Sequence, residues 1–397
     1  MKAPLLALPF LFLLAPTAMR AGDMPPGFFR SDVPAPSGQS RYPAINNNGQ
    51  IVFTVRSDPY NGDTAELYLY DYERGQLTRL TNDNVRDEFA DINDAGTIVW
   101  SRGTGPDGPL QIAMLKNGQL TYLTDDTFWN FEARVNADDH IVWSRWLGAG
   151  CAGSTADVYF YDGTVASKIS QPGYSNQGAR INDLDEIVWV RYNDCVSPWT
   201  SDVMRYNAGV LSQVTQNRFE PQRPDINNGG DIAWYEGLDD QIVLWRGGSL
   251  SLITSWGSGL YMSRNGGHIV FNRWHEGSHT WQVCRYTNGE IWELTSDAHW
   301  NFDGRANDRG EVVWHSGTPF EVGIGLLASF PTGDLNCDHA VNILDINAFV
   351  LAVSNEAAYK TALPECDPAL ADINADGAVD VLDINPFVAL LAGVPPM

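Results

Sequence analysis

Two runs of twelve residues near the C-terminus carry oxygen-bearing side chains at the same five positions, 1, 3, 5, 9 and 12. Calcium is a hard cation that takes six to eight oxygen ligands, and a twelve-residue loop supplies them from such positions together with the backbone carbonyl of position 7. Solvated acidic loops are the alternative reading. We predict two Ca²⁺ ions, with ligands Asp334, Asn336, Asp338, Ala340 (carbonyl), Asn342 and Asp345 in the first loop and Asp372, Asn374, Asp376, Ala378 (carbonyl), Asp380 and Asp383 in the second.

Each acidic run continues into a predicted helix, from Asp345 to about Val353 and from Asp383 to about Ala392. Apolar residues recur in both segments at the spacing of one helix face. The matching residues are Ile346, Phe349 and Val350 in the first segment and Ile384, Phe387 and Val388 in the second. We therefore expect the two halves to pack against each other with pseudo-twofold symmetry.

Residues 334–393 resemble a type I dockerin, a family with two calcium loops of the form Asp-x-Asn-x-Asp-Gly-x-Val-(Asn or Asp)-x-x-Asp. Aspartate at position 12, here Asp345 and Asp383, fits this family better than ordinary EF-hands. The resemblance implies a module that folds around two calcium ions and docks to a cohesin-like or other docking protein. It also implies an extracellular, polysaccharide-degrading setting in a bacterium.

The chain departs from the dockerin pattern in two places. His339 occupies position 6 of the first loop, where the family has a glycine and where positive φ is favoured, so we expect this loop to bind calcium less tightly. Ile343–Leu344 and Val381–Leu382 stand where many cellulosomal members carry Ser or Thr, which favours a different partner. Apolar pairs on neighbouring helices are typical of a protein-docking face.

The preceding part of the chain repeats one pattern seven times, centred on Asn46, Asn93, Asn136, Asn182, Asn227, Asn265 and Asn307. Each copy is an apolar strand, a turn of Asn, Asp and Gly, and a β-branched and aromatic strand, which is typical of a hairpin. Two more short strands follow in most copies, and four strands in about 40 to 45 residues is the size of a β-propeller blade. We predict a mainly β chain with a seven-bladed propeller over residues 22–330; six blades and a degenerate unit are the alternative.

The ends of the units, such as Leu80–Thr81 and Leu123–Thr124, resemble TolB-like and WD40-like propeller repeats. The last unit, from Arg305 to about Phe330, lacks a fourth strand. Residues 28–31, ahead of the first unit, are expected to supply it and to close the ring, which removes the exposed sheet edges.

Residues 1–21 have a charged start, an apolar core and small residues after it, which predicts a secretory signal peptide. No other stretch has the roughly 20 apolar residues of a membrane-spanning helix, so no transmembrane segment is expected. The net charge of −24 argues against nucleic acid as a partner, because nucleic-acid binders carry a basic surface. We therefore expect an exported protein, extracellular or at a bacterial cell surface.

The five cysteines fit an oxidising compartment. Cys151 and Cys195 follow the second strands of neighbouring units and are expected to form a disulfide, and Cys337 and Cys366 are paired within the C-terminal module. Cys284 is left over and is expected to be a buried thiol.

The propeller carries one aromatic and acidic motif twice, in residues 128–132 and 299–303, which we assign to connections between blades. Trp129, Glu132, Trp300 and Asp303 are the candidate ligand-binding residues, because rings stack on pyranose faces and carboxylates accept hydrogen bonds from hydroxyls. The competing interpretation is that the motif packs one blade against the next.

No catalytic residue is identified, and two functions remain. The first is a non-catalytic propeller that binds a carbohydrate such as a polysaccharide, or a protein, and that docks to a protein partner through the dockerin-like tail. The alternative is a glycoside hydrolase or polysaccharide lyase on the propeller, in which carboxylates such as Glu132 and Asp303 would act as acid and base at a separation of about 5 to 10 Å. The first is preferred, because no catalytic constellation breaks the symmetry of the repeat.

Overall fold

The chain folds into seven sheets arranged as a ring, followed by a short helical segment. The computed structural model describes residues 19–21, 24–58, 61, 64–83, 85–105, 108–149, 154–193, 200–215, 221–237, 240–318 and 322–393. Five of the sheets consist of four consecutive antiparallel strands, one blade per repeat, and a sixth adds one parallel strand from the start of the chain to four such strands. The seventh combines strands from both ends of the ring, so the fold is a seven-bladed β-propeller, as predicted.

Two strands precede the first blade, β1 (Met19–Ala21) and β2 (Phe28–Val33). The strands of the first four blades are, in blade 1, β3 (Gln39–Ile45), β4 (Gln50–Arg56), β5 (Ala65–Asp71) and β6 (Gln76–Arg79); in blade 2, β7 (Asp87–Ile92), β8 (Ile98–Gly103), β9 (Leu110–Lys116) and β10 (Gln119–Tyr122); in blade 3, β11 (Trp129–Val135), β12 (Ile141–Ala149), β13 (Ser154–Tyr161) and β14 (Ala166–Lys168); in blade 4, β15 (Ser175–Ile181), β16 (Ile187–Asn193), β17 (Thr200–Asn207) and β18 (Val210–Gln213).

The remaining strands are, in blade 5, β19 (Pro221–Ile226), β20 (Ile232–Glu236), β21 (Gln241–Arg246) and β22 (Ser249–Thr254); in blade 6, β23 (Gly257–Met262), β24 (Ile269–His275), β25 (Thr280–Thr287) and β26 (Glu290–Glu293); in blade 7, β27 (Trp300–Ala306), β28 (Val312–Gly317) and β29 (Val322–Ser329). The first strand of each blade contacts the first strands of its neighbours, so these seven inner strands surround a central channel. Blade 6 forms a five-stranded sheet, because β1 pairs in parallel with its last strand, β26.

The ring closes where the sequence predicted. Strand β2 pairs in antiparallel register with β29, from Phe28 opposite Ser329 to Val33 opposite Ile324, and so supplies the fourth strand of blade 7. Val33 is buried in the core between blades 7 and 1, against residues such as Phe53. Pairing the two ends of the ring leaves neither blade with an open edge at the junction.

A large aromatic residue on the second strand of every blade fills the cores between blades. All seven are at most 2% exposed, and they are Phe53, Trp100, Trp143, Trp189, Trp234, Phe271 and Trp314. The apolar clusters combine residues of adjacent blades, as in the cluster of Val52 from blade 1 with Trp100 from blade 2. Truncating such a side chain to alanine typically costs about 3 to 5 kcal/mol. The repeated aromatic residue therefore stabilises the packing of each blade against its neighbour.

The repeated asparagine of five blades donates a side-chain hydrogen bond to the backbone of the next blade. The Asn46 side chain donates to the Asn93 carbonyl (3.0 Å), and the Asn307 side chain donates to the Asn46 carbonyl (3.0 Å) across the ring closure. Blade 6 differs from the prediction, because Ser263 rather than Asn265 occupies the equivalent place. Its turn is one residue longer, with Ser263 bonded to His268 where Asn46 is bonded to Gln50.

The C-terminal segment contains three short α-helices, α1 (Ile346–Ser354), α2 (Glu356–Ala362) and α3 (Ile384–Leu391). Phe349 of α1 stacks on Phe387 of α3 with ring centroids 4.1 Å apart, so the two halves meet as expected. The matched neighbours Ile346, Val350 and their counterparts differ from the expectation: they are exposed rather than packed.

The cysteines follow the sequence analysis as far as the structure describes them. Cys337 and Cys366 form the predicted disulfide, and Cys284 is a buried free thiol whose pKa is raised by burial. Cys151 and Cys195 lie outside the described residues, so their predicted bond stays a prediction.

The predicted signal peptide also lies outside the described residues, except for strand β1. Within the described part of the chain, no helix is both long enough and apolar enough to cross a bilayer.

Candidate functional site

Every inner strand has one β-bulge, three residues before its last residue. The residue at each bulge has a positive φ, between 45° and 69°. These seven residues, the bulge ring, are Tyr42, Phe89, Glu132, Gly178, Arg223, Gly259 and Asp303. Five of them are not glycine, although this conformation costs other residues on the order of 1 kcal/mol. Strained residues of this kind concentrate at functional sites, so the bulge ring is the first indication of one.

A cleft of about 410 Å³ opens beside the bulge ring at blades 2 and 3. Its lining is largely aromatic and comprises Phe89, Trp129, Phe131, Trp146, Glu132, Gln177, Arg86 and Leu110. Glu132 is the single carboxylate among the described residues that line this cleft. We call these eight residues the aromatic cleft.

Two tryptophans from adjacent strands line the aromatic cleft. Trp129 on β11 lies directly opposite Trp146 on β12, and residues opposite each other on antiparallel strands have side chains in contact range. Trp146 is 36% exposed, so its ring is accessible to a ligand. Flat apolar rings beside a carboxylate and the Gln177 amide match the two faces of a sugar, one apolar and one rich in hydroxyls.

The four candidate residues of the sequence analysis do not form one site. Trp129 and Glu132 share the aromatic cleft, whereas Trp300 and Asp303 lie in blade 7 and do not line it. Trp300 faces Gly317 across the strand pair, so no second tryptophan lies opposite it, and its own ring packs edge-on against Phe302 with centroids 5.9 Å apart. Both copies of the motif begin inner strands, so their assignment to connections between blades was wrong.

The central asparagine of each motif packs one blade against another, as the competing interpretation predicted, because Asn130 donates to Gln111 and Asn301 to Gln282 of the preceding blade. Asn130 and Asn301 are fully buried, and each accepts a hydrogen bond from the indole N–H of the core tryptophan on the next strand, Trp143 or Trp314, at 3.1 Å. The residues of the motif in blade 3 therefore differ in role. Asn130 stabilises the packing, whereas Trp129 and Glu132 line the surface cleft.

Asp303 is already paired within the protein. Its carboxylate lies 3.4 Å from His315 Nδ1 and 4.0 Å from Arg223 Nη1. Burial lowers the pKa of His315, although the charge of Asp303 opposes that shift. For Arg223, burial acts to lower the pKa, but Tyr261, Glu132 and Asp303 together raise it. The guanidinium of Arg223 therefore interacts with both carboxylates that a hydrolytic pair would require.

The reasoning from sequence missed Trp146. Counted from the hairpin turn, Val135 pairs with Ile141 and Arg134 with Val142, which would place Trp129 opposite Leu147. The bulge at Glu132 shifts the register by one residue and brings Trp146 opposite Trp129 instead. A second tryptophan in blade 3, Trp146, could have indicated the site from the sequence. Its pairing with Trp129, however, depends on the bulge.

The two acidic loops at the C-terminus have nearly identical internal geometry. Asp345 Oδ1 accepts the amides of Leu335 (2.8 Å) and Asn336 (3.0 Å), and Asp383 Oδ1 accepts those of Ile373 (2.8 Å) and Asn374 (3.1 Å). Asp334, Asp345 and Asp383 are fully buried. None of the seven aspartates of the two loops forms an ion pair with a lysine or arginine of the described chain.

This set of donors fits calcium. Oxygen-bearing side chains stand at positions 1, 3, 5, 9 and 12 of each loop, and buried carboxylates require a compensating charge. Position 6 has positive φ in both loops, 71° at His339 and 86° at Gly377, so the histidine adopts the glycine-like conformation at some cost. Its ring packs between Phe29 (4.4 Å) of the propeller and Phe330 (4.9 Å), which provides a compensating contact.

The loops and helices expose a second apolar surface. It comprises Ile343, Leu344, Ile346, Val350 and their counterparts Val381, Leu382, Ile384 and Val388, and each of these side chains is between 42% and 75% exposed. We call this set the apolar face. Eight exposed aliphatic residues in matched positions are more than isolated surface apolar residues, and such patches are typical of protein interaction sites.

Comparisons with solved structures agree with the propeller. The beta-propeller domain of the Trilobed protease from Pyrococcus furiosus aligns over 73% of this chain and 97% of its own with a TM-score of 0.57 and 12% identity. An oligogalacturonate lyase in complex with manganese aligns over 77% and 94% (TM-score 0.55, 11% identity), and a streptogramin B lyase over 76% and 98% (TM-score 0.52, 13% identity). At these identities the likeness establishes the fold alone. No protein-family model and no curated protein matches the chain.

Proposed function

We propose that this is a secreted carbohydrate-binding propeller whose calcium-loaded, dockerin-like tail docks it to a protein partner of an extracellular polysaccharide-degrading system in a bacterium. The observation that carries the first half is the pair of Trp129 and Trp146 with Glu132 beside it in one accessible cleft. Export rests on the signal peptide expected over residues 1–21.

Binding is favoured over hydrolysis by the distribution of charge. A glycosidase needs two carboxylates on either side of one bond, and the aromatic cleft has Glu132 alone among its described lining residues. Asp303 lies on blade 7, outside this cleft, and its carboxylate is paired with His315 of the same blade and Arg223 of blade 5. The alternative, a propeller glycoside hydrolase or polysaccharide lyase, is supported by the position of Glu132 in the cleft. An oligogalacturonate lyase has the same fold, which is compatible with this alternative and does not select it.

The test is a polysaccharide array probed with the calcium-loaded full chain, followed by assays for reducing ends and for unsaturated products on each polymer that binds. We expect binding without product, and we expect Trp129→Ala to weaken binding about tenfold, because the loss of a stacked aromatic ring costs on the order of 1.4 kcal/mol. Trp300→Ala is the matched control, since Trp300 starts the equivalent strand but lies outside the cleft. Product that disappears in Glu132→Gln would establish the alternative.

The docking half rests on the matched loops and the apolar face. The tail would hold two Ca²⁺ ions through the side chains of Asp334, Asn336, Asp338, Asn342, Asp345, Asp372, Asn374, Asp376, Asp380 and Asp383 and the carbonyls of Ala340 and Ala378. Calcium supplies the charge that stabilises the buried carboxylates, and the ordered loops then hold the apolar face in position. The partner is expected to present an apolar surface of similar extent.

Calorimetric titration of calcium into the full chain tests this half. Two ions are expected to bind and to raise the unfolding temperature of the tail. Asp345→Ala should abolish one site and Asp383→Ala the other, because each removes the position-12 ligand. Asp367→Ala, in the same segment but outside both loops, is the control. A wild-type chain that binds no calcium, or variants that each still bind two ions like the wild type, would contradict the assignment.

A further inference from the structure

A second cavity lies deeper in the channel, between the bulge ring and the asparagine turns. It measures about 120 Å³. Four inner strands place the residue just before their last one into its wall: Arg134 from blade 3, Arg180 from blade 4, Tyr261 from blade 6 and Arg305 from blade 7. We call this space the arginine cavity. Its three arginines are only 4% to 8% exposed.

The three guanidinium groups converge on the tyrosine. Arg180 lies 5.3 Å and Arg305 lies 4.7 Å from the centre of the Tyr261 ring. Arg134 and Arg180 each donate one Nη1–H to the carbonyl of the preceding residue, at 2.7 and 2.9 Å. The Nε atoms of Arg134, Arg180 and Arg305 are buried and have no hydrogen-bond partner. Buried donors without a partner are costly, which indicates a missing acceptor.

The two carboxylates at the same level are already occupied. Asp225 accepts the amides of Ile226 (2.9 Å) and Met262 (2.8 Å), one on each oxygen. Asp91 accepts the Val135 amide (3.1 Å) and pairs with Arg305 (3.0 Å). At this level three guanidinium groups face two carboxylates whose oxygens already accept other donors, and Glu132 of the bulge ring adds a third carboxylate charge that acts on Arg134 and Arg180.

The other charges in the wall belong to the turns at the end of the channel. Asp94, Asp183 and Asp308 each accept a backbone amide from a neighbouring blade, at Asn47, Ala137 and Asn265. Arg264 donates to the carbonyl of Val135 at 3.4 Å. These groups form a hydrogen-bonded ring of their own and do not use the Nε atoms of the three buried arginines.

The electrostatics differ among the groups of the arginine cavity. Burial acts to lower the pKa of Arg134, but Tyr261, Asp91, Glu132 and Asp225 together raise it. Burial acts to raise the pKa of Tyr261, yet the charges of Arg305, Arg180 and Arg134 outweigh it, so the pKa is lowered. Burial and then the charge of Arg134 lower the pKa of Arg180. Two arginines that repel each other in a buried cavity are stabilised by an anion between them.

We propose that the arginine cavity binds a small tetrahedral oxyanion, sulfate or phosphate, through the guanidinium groups of Arg134, Arg180 and Arg305 and the hydroxyl of Tyr261. A planar guanidinium presents parallel donors to such an anion. The volume of about 120 Å³ is large enough for an anion of five heavy atoms. This site is separate from the aromatic cleft, and neither proposal depends on the other.

The test is a calorimetric titration of sodium sulfate into the calcium-loaded full chain, with sodium chloride at matched ionic strength as the reference. One sulfate is expected to bind per chain. Arg180→Gln and Arg134→Gln should each weaken it at least tenfold. Arg246→Gln removes an exposed arginine that pairs with Asp231 on the outer part of blade 5, and it should bind sulfate like the wild type.

Two further experiments test the site even if an arginine variant does not fold. Tyr261→Phe removes a hydroxyl only, and it should bind sulfate several times more weakly. Crystals soaked in selenate should show an anomalous peak between Arg134 and Arg180. An absence of sulfate binding, affinities equal in wild type, Arg180→Gln and Tyr261→Phe, or a selenate peak elsewhere only would overturn the proposal.

Discussion

At the scale of single residues, the residues of the two proposed sites stand where the repeat is broken. Trp146 has no equivalent in blade 7, where Gly317 stands opposite Trp300. Arg134, Arg180, Tyr261 and Arg305 occupy positions that hold Ala44 in blade 1 and aspartates in blades 2 and 5. Positions that all blades share, such as the buried aromatic of the second strand, serve packing instead. The repeats thus contain residues shared by all blades, which pack the core, and residues that differ between blades, which line the proposed sites.

His268 in the long turn of blade 6 provides a pH test at this scale. Burial, and then the charge of Arg285, lowers its pKa to about 4 from an ordinary 6.5. The folded state therefore holds the neutral ring, and the stability that this contributes is present above pH 6.5 and is lost as the pH falls towards 4.

We expect the wild type to lose at most about 3 kcal/mol of unfolding free energy between pH 6.5 and pH 4 relative to His268→Gln. Urea unfolding of both proteins across this range measures the difference. His299→Gln, at an exposed position, corrects for general effects of losing a histidine. A difference that does not change with pH would refute the assignment.

At the scale of elements, the repeated bulge and the closing strand decide the shape of the site. The bulge shifts the register of each inner strand by one residue, and so selects which side chains reach the aromatic cleft and which reach the arginine cavity. Strand β2 then joins blade 7 to blade 1 and keeps all seven inner strands in one ring. Both features act through backbone pairing.

The closing strand can be tested with Val33→Asp. Val33 is 5% exposed and packs in the core between blades 7 and 1, so an aspartate there would bury a charge without a partner. We expect a loss of about 3 kcal/mol or more in unfolding free energy, measured by chemical denaturation. The neighbouring Asp32 is exposed, and Asp32→Ala should change stability by no more than about 0.5 kcal/mol. Equal effects of the two variants would mean that β2 does not close the ring in solution.

At the scale of the whole molecule, the tail is attached to the propeller by more than the chain itself. The Gly27 amide donates to the Glu365 carbonyl at 2.9 Å, and the Gly333 amide donates to the Leu370 carbonyl at 2.8 Å. Phe29, Phe330 and His339 form one aromatic contact between β2 and the first acidic loop. The apolar face is therefore held in one orientation relative to the ring, which agrees with the short connection of residues 330–333.

This attachment predicts the behaviour of Phe29→Ala. The substitution removes both ring contacts of Phe29, at 5.0 Å to Phe330 and 4.4 Å to His339. We expect residues 330–333 to be cleaved about ten times faster by a limiting amount of protease, because local opening becomes easier. Phe128→Ala truncates an exposed phenylalanine of blade 3 and should leave cleavage unchanged. Unchanged cleavage in Phe29→Ala would show that the aromatic contact does not hold the tail.

The sequence by itself determined the features that depend on local periodicity and spacing. Seven copies of one hairpin predicted seven blades, the missing last strand predicted closure by residues 28–31, and Cys337 paired with Cys366 as expected. The spacing of oxygen side chains in the two acidic loops is likewise local. Only the tertiary structure decided what converges across the ring. The bulges shift the register and pair Trp129 with Trp146, and three arginines from three blades meet in one cavity, because contacts between distant segments depend on backbone geometry that the repeat does not encode.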